Sequence, residues 1–208
     1  MYKKYFKRVL DVVLSGCGIV VLLPVWLLLA VVIKLDDPGT VLFTQKRIAQ
    51  DKQGKKQYFT IYKYRSMKTS TPKDRPTHLL ENPEQYITRM GRFLRKTSLD
   101  ELPQIFNIFL GHMSIIGPRP ALWNQDDLYA LRAKYGANDV RPGLTGWAQI
   151  NGRDELPLAV KARLDGEYVE KLSFWFDVKC FFGTFGAVLG HKGVIEGGTG
   201  AIKEGREL

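Results

Sequence analysis

Cysteine and histidine are scarce in this 208-residue chain, which has two of the first and three of the second. Cys17 and Cys180 lie far apart in apolar surroundings. They provide neither a disulfide framework nor zinc-ligand spacing, so a reducing compartment is the default. His78, His112 and His191 are scattered, which argues against a zinc site and against a histidine-driven triad. No internal repeat appears. Acidic residues are also in deficit: 21 Asp and Glu face 31 Lys and Arg, a net charge of +10. The excess is uneven, with ten Lys and Arg between residues 41 and 75 against only Asp51 and Asp74. Such a patch implies an anionic partner, whether nucleic acid, a lipid surface or a phosphorylated small molecule.

From Val12 to Ile33 the chain runs 22 residues without a charge. At 1.5 Å per residue that is long enough to span a bilayer core of about 30 Å. The stretch Ala30–Lys34 offers no small-x-small cleavage site, so the segment is expected to be retained. Both flanks are basic: Lys3, Lys4, Lys7 and Arg8 precede the run, and Lys34 and the 41–75 patch follow it. The positive-inside rule places both ends in the cytoplasm, which one straight span cannot satisfy. Pro24, mid-run, is expected to remove a helical hydrogen bond and kink the helix. A helix that enters, breaks at Pro24 and returns fits both flanks, and an ordinary kinked span fits the length equally well.

Asp36-Asp37-Pro38-Gly39 is turn chemistry that closes this segment. Val41–Gln45 and Tyr58–Tyr62 read as the strands of a hairpin, and residues 69–83 as a loop. Residues 84–96 read as an amphipathic helix, Leu102–Ile116 as an apolar helix broken near Gly111, and Trp123–Tyr135 as a further helix. Residues 141–153 form a glycine-rich loop with Arg141 and Arg153 at its ends. Its glycines suit close backbone approach to a ligand, but it lacks the Gly-Lys-Ser/Thr ending of a P-loop. The aromatic stretch Ser173–Phe182 suits either an interfacial helix or a core helix. The tail from Glu196 is rich in glycine and charge and is expected to be disordered.

Within Thr97–Gln104 stands an adjacent acidic pair, Asp100 and Glu101, preceded by Arg89, Arg92, Arg95 and Lys96. Two mutually repelling carboxylates among cations suit a site that handles phosphate and a divalent metal. Pro103 fits a first helical turn, which would put the pair at a helix N-terminus. Ser98 with Glu101 equally fits a capping box that needs no chemistry. Downstream, Pro118 and Pro120 bracket Arg119 and fix its direction, and arginine is the side chain for bidentate phosphate recognition. Alone, that segment reads as well as a rigid turn.

A basic membrane segment, a phosphate-suited surface and an acidic pair converge on phosphoryl transfer at a membrane face. Here the chain resembles the bacterial sugar transferases, the monotopic phosphoglycosyl transferases, over roughly residues 4–195. The resemblance runs through Lys7–Asp11, Phe43–Arg47, Tyr62–Met67, Thr97–Gln104, Gly117–Pro120 and Arg141–Arg153. It implies transfer of a sugar-1-phosphate from a UDP-sugar to undecaprenyl phosphate with release of UMP, at the cytoplasmic face of the bacterial inner membrane. It also implies Asp100 as the nucleophile of a ping-pong scheme and Glu101 as the Mg²⁺ ligand. Lys63, Arg95, Arg119 with its flanking Pro118 and Pro120, Arg141 and Arg153 are assigned to the donor's phosphates and nucleotide.

The implied fold is α+β, mainly α with a small β-hairpin. A re-entrant membrane helix (1–36) precedes a cytoplasmic catalytic domain (37–195) with interfacial amphipathic helices and a tail (196–208). The family's usual Ser-Pro at the helix break is Leu23-Pro24 here, and Ser15 lies too far along the helix to replace the missing hydroxyl. A nucleic-acid binder would leave Asp100 and Glu101 without purpose, so the expected partners are the UDP-sugar, the polyprenyl phosphate and membrane lipid, with no nucleic acid. A scaffold for polysaccharide export is the non-catalytic rival. Oligomeric state stays open, a homodimer included, as do the sugar and the polymer served.

Overall fold

The computed structural model describes residues 1–71, 82–152 and 156–189. The expectations for the tail and for Arg153 lie outside the described residues, as does most of the 69–83 loop. The fold is α+β and mainly helical.

A π-helical turn, Tyr2–Phe6, leads into α1 (Lys7–Val21), and α2 (Leu23–Asp36) follows at a bend of 61°. Neither helix alone is long and apolar enough to cross a membrane; the bent pair together has the length and composition. The break falls at Leu22, which leaves helical geometry at φ −87° and ψ 3°. Pro24 therefore occupies the first turn of α2, not a helix interior, and there its missing N–H costs nothing. This corrects the expectation of a mid-helix kink. Ser15, almost fully buried, bonds back to the carbonyls of Asp11 and Val12 inside α1 and does not serve the break.

Each end of the pair is tied to the globular body. At the start, Lys7 Nζ donates to Asp177 (2.6 Å), and Asp11 accepts from the Ile115 amide (2.9 Å). At the end, Asp36 accepts from the Met90 amide (2.8 Å), and Asp37 accepts from Arg65 (2.6 Å) and the Thr69 amide (2.9 Å). Between these ties, Leu29 and Ile33 of α2 pack on Tyr64 and Leu94. Burial of this kind stabilises by about 1.5–3 kcal/mol per aliphatic side chain. Val20, Val21, Leu23, Leu27, Leu28 and Val31 remain exposed.

Strand β1 (Leu42–Ile48) pairs antiparallel with β2 (Tyr58–Tyr64), from Leu42 opposite Tyr64 to Ile48 opposite Tyr58. The tip turns at Gln53 and Gly54, both at positive φ (53° and 70°), the requirement of a tight two-residue hairpin turn. The expected hairpin is present, with longer strands. On β2, Phe59 and Ile61 face a core of Ile108 and Met113, and Lys63 follows next on that face.

Residues 84–96 are not one helix: a 3₁₀ turn (Pro83–Tyr86) precedes α3 (Arg89–Thr97). Thr88 caps α3 by accepting from the Gly91 amide (2.9 Å), and Asp36 takes the Met90 amide. A β-carbon on Gly91 would lie 1.9 Å from the Ser66 carbonyl oxygen, so glycine lets α3 lie directly on the backbone leaving β2.

The expected Leu102–Ile116 helix is likewise divided. After α4 (Gln104–Phe109), Gly111 turns at φ 88°, and Ser114–Ile116 forms β3. Strand β3 pairs in parallel with β4 (Gly143–Thr145), inside the glycine-rich loop. β-Carbons on Gly143 and Gly146 would each lie 2.1 Å from backbone atoms of Gly117. These glycines therefore bring two backbones together, where the sequence suggested approach to a ligand. Helix α5 (Asp126–Ala133) is shorter than expected; α6 (Trp147–Ile150), α7 (Leu158–Lys171) and α8 (Phe174–Leu189) complete the fold. The aromatic stripe of α8 divides. Phe176 and Cys180 pack with Tyr168 and Ile116, while Trp175, Phe181, Phe182 and Phe185 stay exposed.

Candidate active site

Asp100 and Glu101 occupy a 3₁₀ turn, Leu99–Glu101, between α3 and α4. Ser98 does not form the capping box. It ends α3 in the left-handed conformation (φ 57°, ψ 17°), and its side chain accepts no cap bond from the turn. The turn exists because α3 must stop and the chain reverse before Pro103 opens α4.

Glu101 is the centre of the local electrostatics. Its Oε1 accepts from Lys63 Nζ (2.8 Å) and from an Arg119 guanidinium nitrogen (2.8 Å), and the second Arg119 nitrogen lies 3.4 Å from Oε2. Lys63 comes from β2 and Arg119 from the segment after β3. The hairpin and the parallel pair thus meet on one carboxylate.

Arg119 is held from several sides. The Gly117 amide donates to Thr145 O (2.8 Å), Pro118 O accepts from the Gly143 amide (2.8 Å), and Pro120 O accepts from Arg47 (3.0 Å). Pro118 and Pro120 are both buried, so the expected rigid presentation of Arg119 is realised. Arg95 on α3 donates to Ser66 Oγ (2.9 Å), and its charge acts on Asp100 together with those of Lys63 and Arg119.

The two carboxyls are driven apart in acidity. For Asp100, burial and the adjacent Glu101 charge outweigh Lys63, Arg95 and Arg119, and its pKa rises above the usual aspartate value. Glu101 is also buried, but Arg119 and Lys63 overcome that and hold it well below the usual carboxylate range. Asp100 makes no hydrogen bond or ion pair with the other described residues, whereas Glu101 is engaged by both cations. Paired titratable groups with opposed shifts are a mark of an acid–base or nucleophilic site.

Arg141 precedes β4 by two residues. Its carbonyl lies against Gly117, and its charge acts on Arg8, whose pKa is lowered first by burial and then by Arg141. Arg8 itself caps the end of α4 by donating to Ile108 O (2.6 Å) and Phe109 O (2.7 Å). The 41–75 patch also disperses: Lys46 lies over the Tyr58 ring (4.2 Å to the centroid) and Lys56 pairs with Asp126.

Sequence reasoning placed Ser66, which orients Arg95, and Asp11 within family-like segments but gave neither a role. Asp11 carried a further signal, as a lone carboxylate at the edge of an apolar run.

A Mg²⁺ ion can be tested against these side chains. Among the described residues no three His, Cys, Asp or Glu groups cluster to form a protein cage. Mg²⁺ commonly uses one or two carboxylates and completes its shell with water and substrate phosphates. Asp100 has free acceptor capacity and Glu101 Oε2 carries only the 3.4 Å contact, so the pair fits that mode.

The Bacterial sugar transferase family model matches residues 2–191. The chain is 38% identical over 186 residues to a UDP-glucose:undecaprenyl-phosphate glucose-1-phosphate transferase of Escherichia coli, covering 86% of this chain and 39% of that protein. It is 34% identical over 190 residues to a UDP-N-acetylgalactosamine-undecaprenyl-phosphate N-acetylgalactosaminephosphotransferase of Aeromonas hydrophila, covering 89% and 44%. It is 33% identical over 196 residues to the exopolysaccharide production protein ExoY of Rhizobium meliloti, covering 88% and 84%. The chain thus spans about two-fifths of the length of the first two relatives and most of the third. With the family model matched over nearly its whole length, the chain belongs to the bacterial sugar transferase family.

Proposed function

We propose that this protein transfers a sugar-1-phosphate from a UDP-sugar to undecaprenyl phosphate in two steps through Asp100. The observation that carries the reading is the convergence of Lys63 and Arg119 on Glu101, one residue from an unengaged, partly buried Asp100. An Asp100 carboxylate oxygen attacks the β-phosphorus of the donor. The bond between that phosphorus and the bridging oxygen breaks, and UMP leaves with the oxygen and its electron pair. The acceptor's phosphate oxygen then attacks the same phosphorus and the Asp100 carboxylate leaves, giving the polyprenyl diphosphate sugar. Splitting the transfer lets a soluble donor and a lipid acceptor use one site in turn.

Lys63, Arg95 and Arg119 bind and orient the diphosphate and neutralise charge on the equatorial oxygens. Arg153 is assigned the same role on the family resemblance alone. Arg141 keeps the phosphate role that the family resemblance gives it, with its carbonyl lying against Gly117. Glu101 holds Lys63 and Arg119 in register and is the residue to ligate Mg²⁺, which when bound neutralises diphosphate charge. Purified protein with Mg²⁺, polyprenyl phosphate and a panel of UDP-sugars is expected to release UMP from at least one donor. No release across the panel would favour the scaffold reading. The relatives are named for different sugars, glucose and N-acetylgalactosamine, so this panel also assigns the donor.

The α1–α2 pair is proposed to enter and leave the bilayer on the cytoplasmic face of the inner membrane, with the exposed aromatics of α8 at the interface. Support comes from the bend and from the ties of both ends to one globular body. Single cysteines introduced at Lys4 and Lys46 should react with an impermeant thiol reagent from the same side. Reaction from opposite sides would mean a true span.

A further inference from the structure

Asp11 lies one turn into α1 and is only 3% exposed. Its Oδ1 accepts from the Ile115 amide (2.9 Å) and from Ser114 Oγ (3.1 Å). The partner strand explains why a carboxylate is needed there. Ser114 N–H donates to Pro142 O on the β4 side. Alternation along a strand turns the Ile115 N–H the other way, where a third strand would pair. Among the described residues the sheet has two strands. An amide shielded from water without an acceptor is costly, and Asp11 Oδ1 accepts the hydrogen bond from this half-buried one.

The next residue is also held from outside the sheet, since Ile116 O accepts from Tyr168 Oη (3.1 Å). Tyr168 Oη also reaches Asp177, the partner of Lys7. On the opposite side Gly117 closes on Gly143, where a β-carbon would lie within 2.9 Å of the Gly143 amide nitrogen. Arg119 follows two residues later, and the one residue between is Pro118, with its φ fixed by the ring. Little torsional freedom remains to absorb a shift of β3 before it reaches the guanidinium.

We propose that Asp11 is a positioning residue for Arg119: it fixes the free edge of β3, and with it the point from which Arg119 reaches Glu101 and the donor's diphosphate. The inference rests on the transferase reading given above. It assigns to the membrane-proximal end of α1 a role in donor binding that an anchor alone would not have.

The test measures donor KM from UMP release, and the Kd of UDP itself, for the full chain in one lipid or detergent system. Asp11→Ala should raise both by about 10-fold, since small misplacements of a binding group cost factors of this size or more. Asp11→Asn keeps an acceptor oxygen for Ile115 and should restore UDP affinity to within about 3-fold of wild type. In an Arg119→Ala background, Asp11→Ala should weaken UDP no further, because the group it positions is gone.

A purely structural role would instead lower Vmax, through a smaller folded fraction, at unchanged KM and Kd, and that result overturns the proposal. So does an equal loss in both backgrounds, or an Asn variant as damaging as Ala. If Asp11→Ala does not fold, Ser114→Ala removes one of the two bonds alone. It should weaken UDP binding by about 2-fold in the wild-type background and not without Arg119; an unchanged Kd overturns the proposal. Wild-type protein that releases UMP while these variants behave as wild type defeats this inference alone. Wild-type protein that releases none defeats the transferase reading, and this inference with it.

Discussion

Asp100→Ala and Asp100→Asn are each expected to remove UMP release, by at least about 10³-fold, the scale seen when a nucleophile is deleted from a working site. The same variants should give no covalent adduct when incubated with donor labelled in the sugar or β-phosphate. The asparagine variant matters most, because it keeps the volume of the side chain and only its nucleophilic charge is lost. Asp100 has no hydrogen bond or ion pair with the other described residues, so its removal leaves no partner stranded. A folded, donor-binding but inactive protein is therefore expected, with thermal stability close to wild type. A labelled adduct that persists without Asp100 would move the nucleophile elsewhere and leave the acidic pair with electrostatic roles only.

The raised pKa of Asp100 also gives this reaction a pH signature. In the proposed mechanism the carboxylate is the reacting form, so the rate of the first half-reaction should fall as pH drops through a value above the ordinary aspartate range. Glu101→Gln then becomes a test with a sign. It deletes the neighbouring negative charge that raises Asp100, and leaves Lys63 and Arg119 without their anion. Both changes stabilise the Asp100 carboxylate, so the acid limb should move to lower pH. The rate at neutral pH should nonetheless fall by about 10²-fold or more, since the two cations lose the group that orients them. Raised Mg²⁺ should recover part of that loss if Glu101 is its ligand.

The stability change has its own sign. The folded-state pKa of Glu101 is depressed, so its contribution is present above the unfolded value and lost as pH falls through the folded one. At neutral pH the glutamine variant should lose about 2 kcal/mol, less than a fully buried pair would cost because Arg119 is 38% exposed. An unmoved acid limb in Glu101→Gln would mean that the titrating group is not Asp100.

Much of this arrangement could be read along the chain. The apolar run and its basic flanks admitted a re-entrant helix, two short strands around a polar, Gly54-containing connection announced the hairpin, and the acidic pair stood out against its cationic surroundings. Readings failed where the deciding partner lay far away in sequence. Ser114–Ile116 is a strand because Gly143–Thr145 pairs with it, and three apolar residues look the same in a helix. The glycines of residues 141–153 looked suited to a ligand, yet Gly143 and Gly146 close on the backbone of Gly117. Ser98 and Glu101 matched a capping box, but Ser98 was needed to end α3.

The sequence by itself determined the residue types and local periods: an uncharged apolar run interrupted by a proline, a hairpin, and two carboxylates among cations. These follow from side-chain chemistry and from spacings within one or two turns, which neighbours in the chain settle. Only the tertiary structure decided which cations meet which carboxylate, that Glu101 is engaged while Asp100 is left open, and that Asp11 ties the first helix to the strand before Arg119. Those outcomes depend on packing between segments 18 to 104 residues apart, where burial and charge pairing act through space and leave no local period to read.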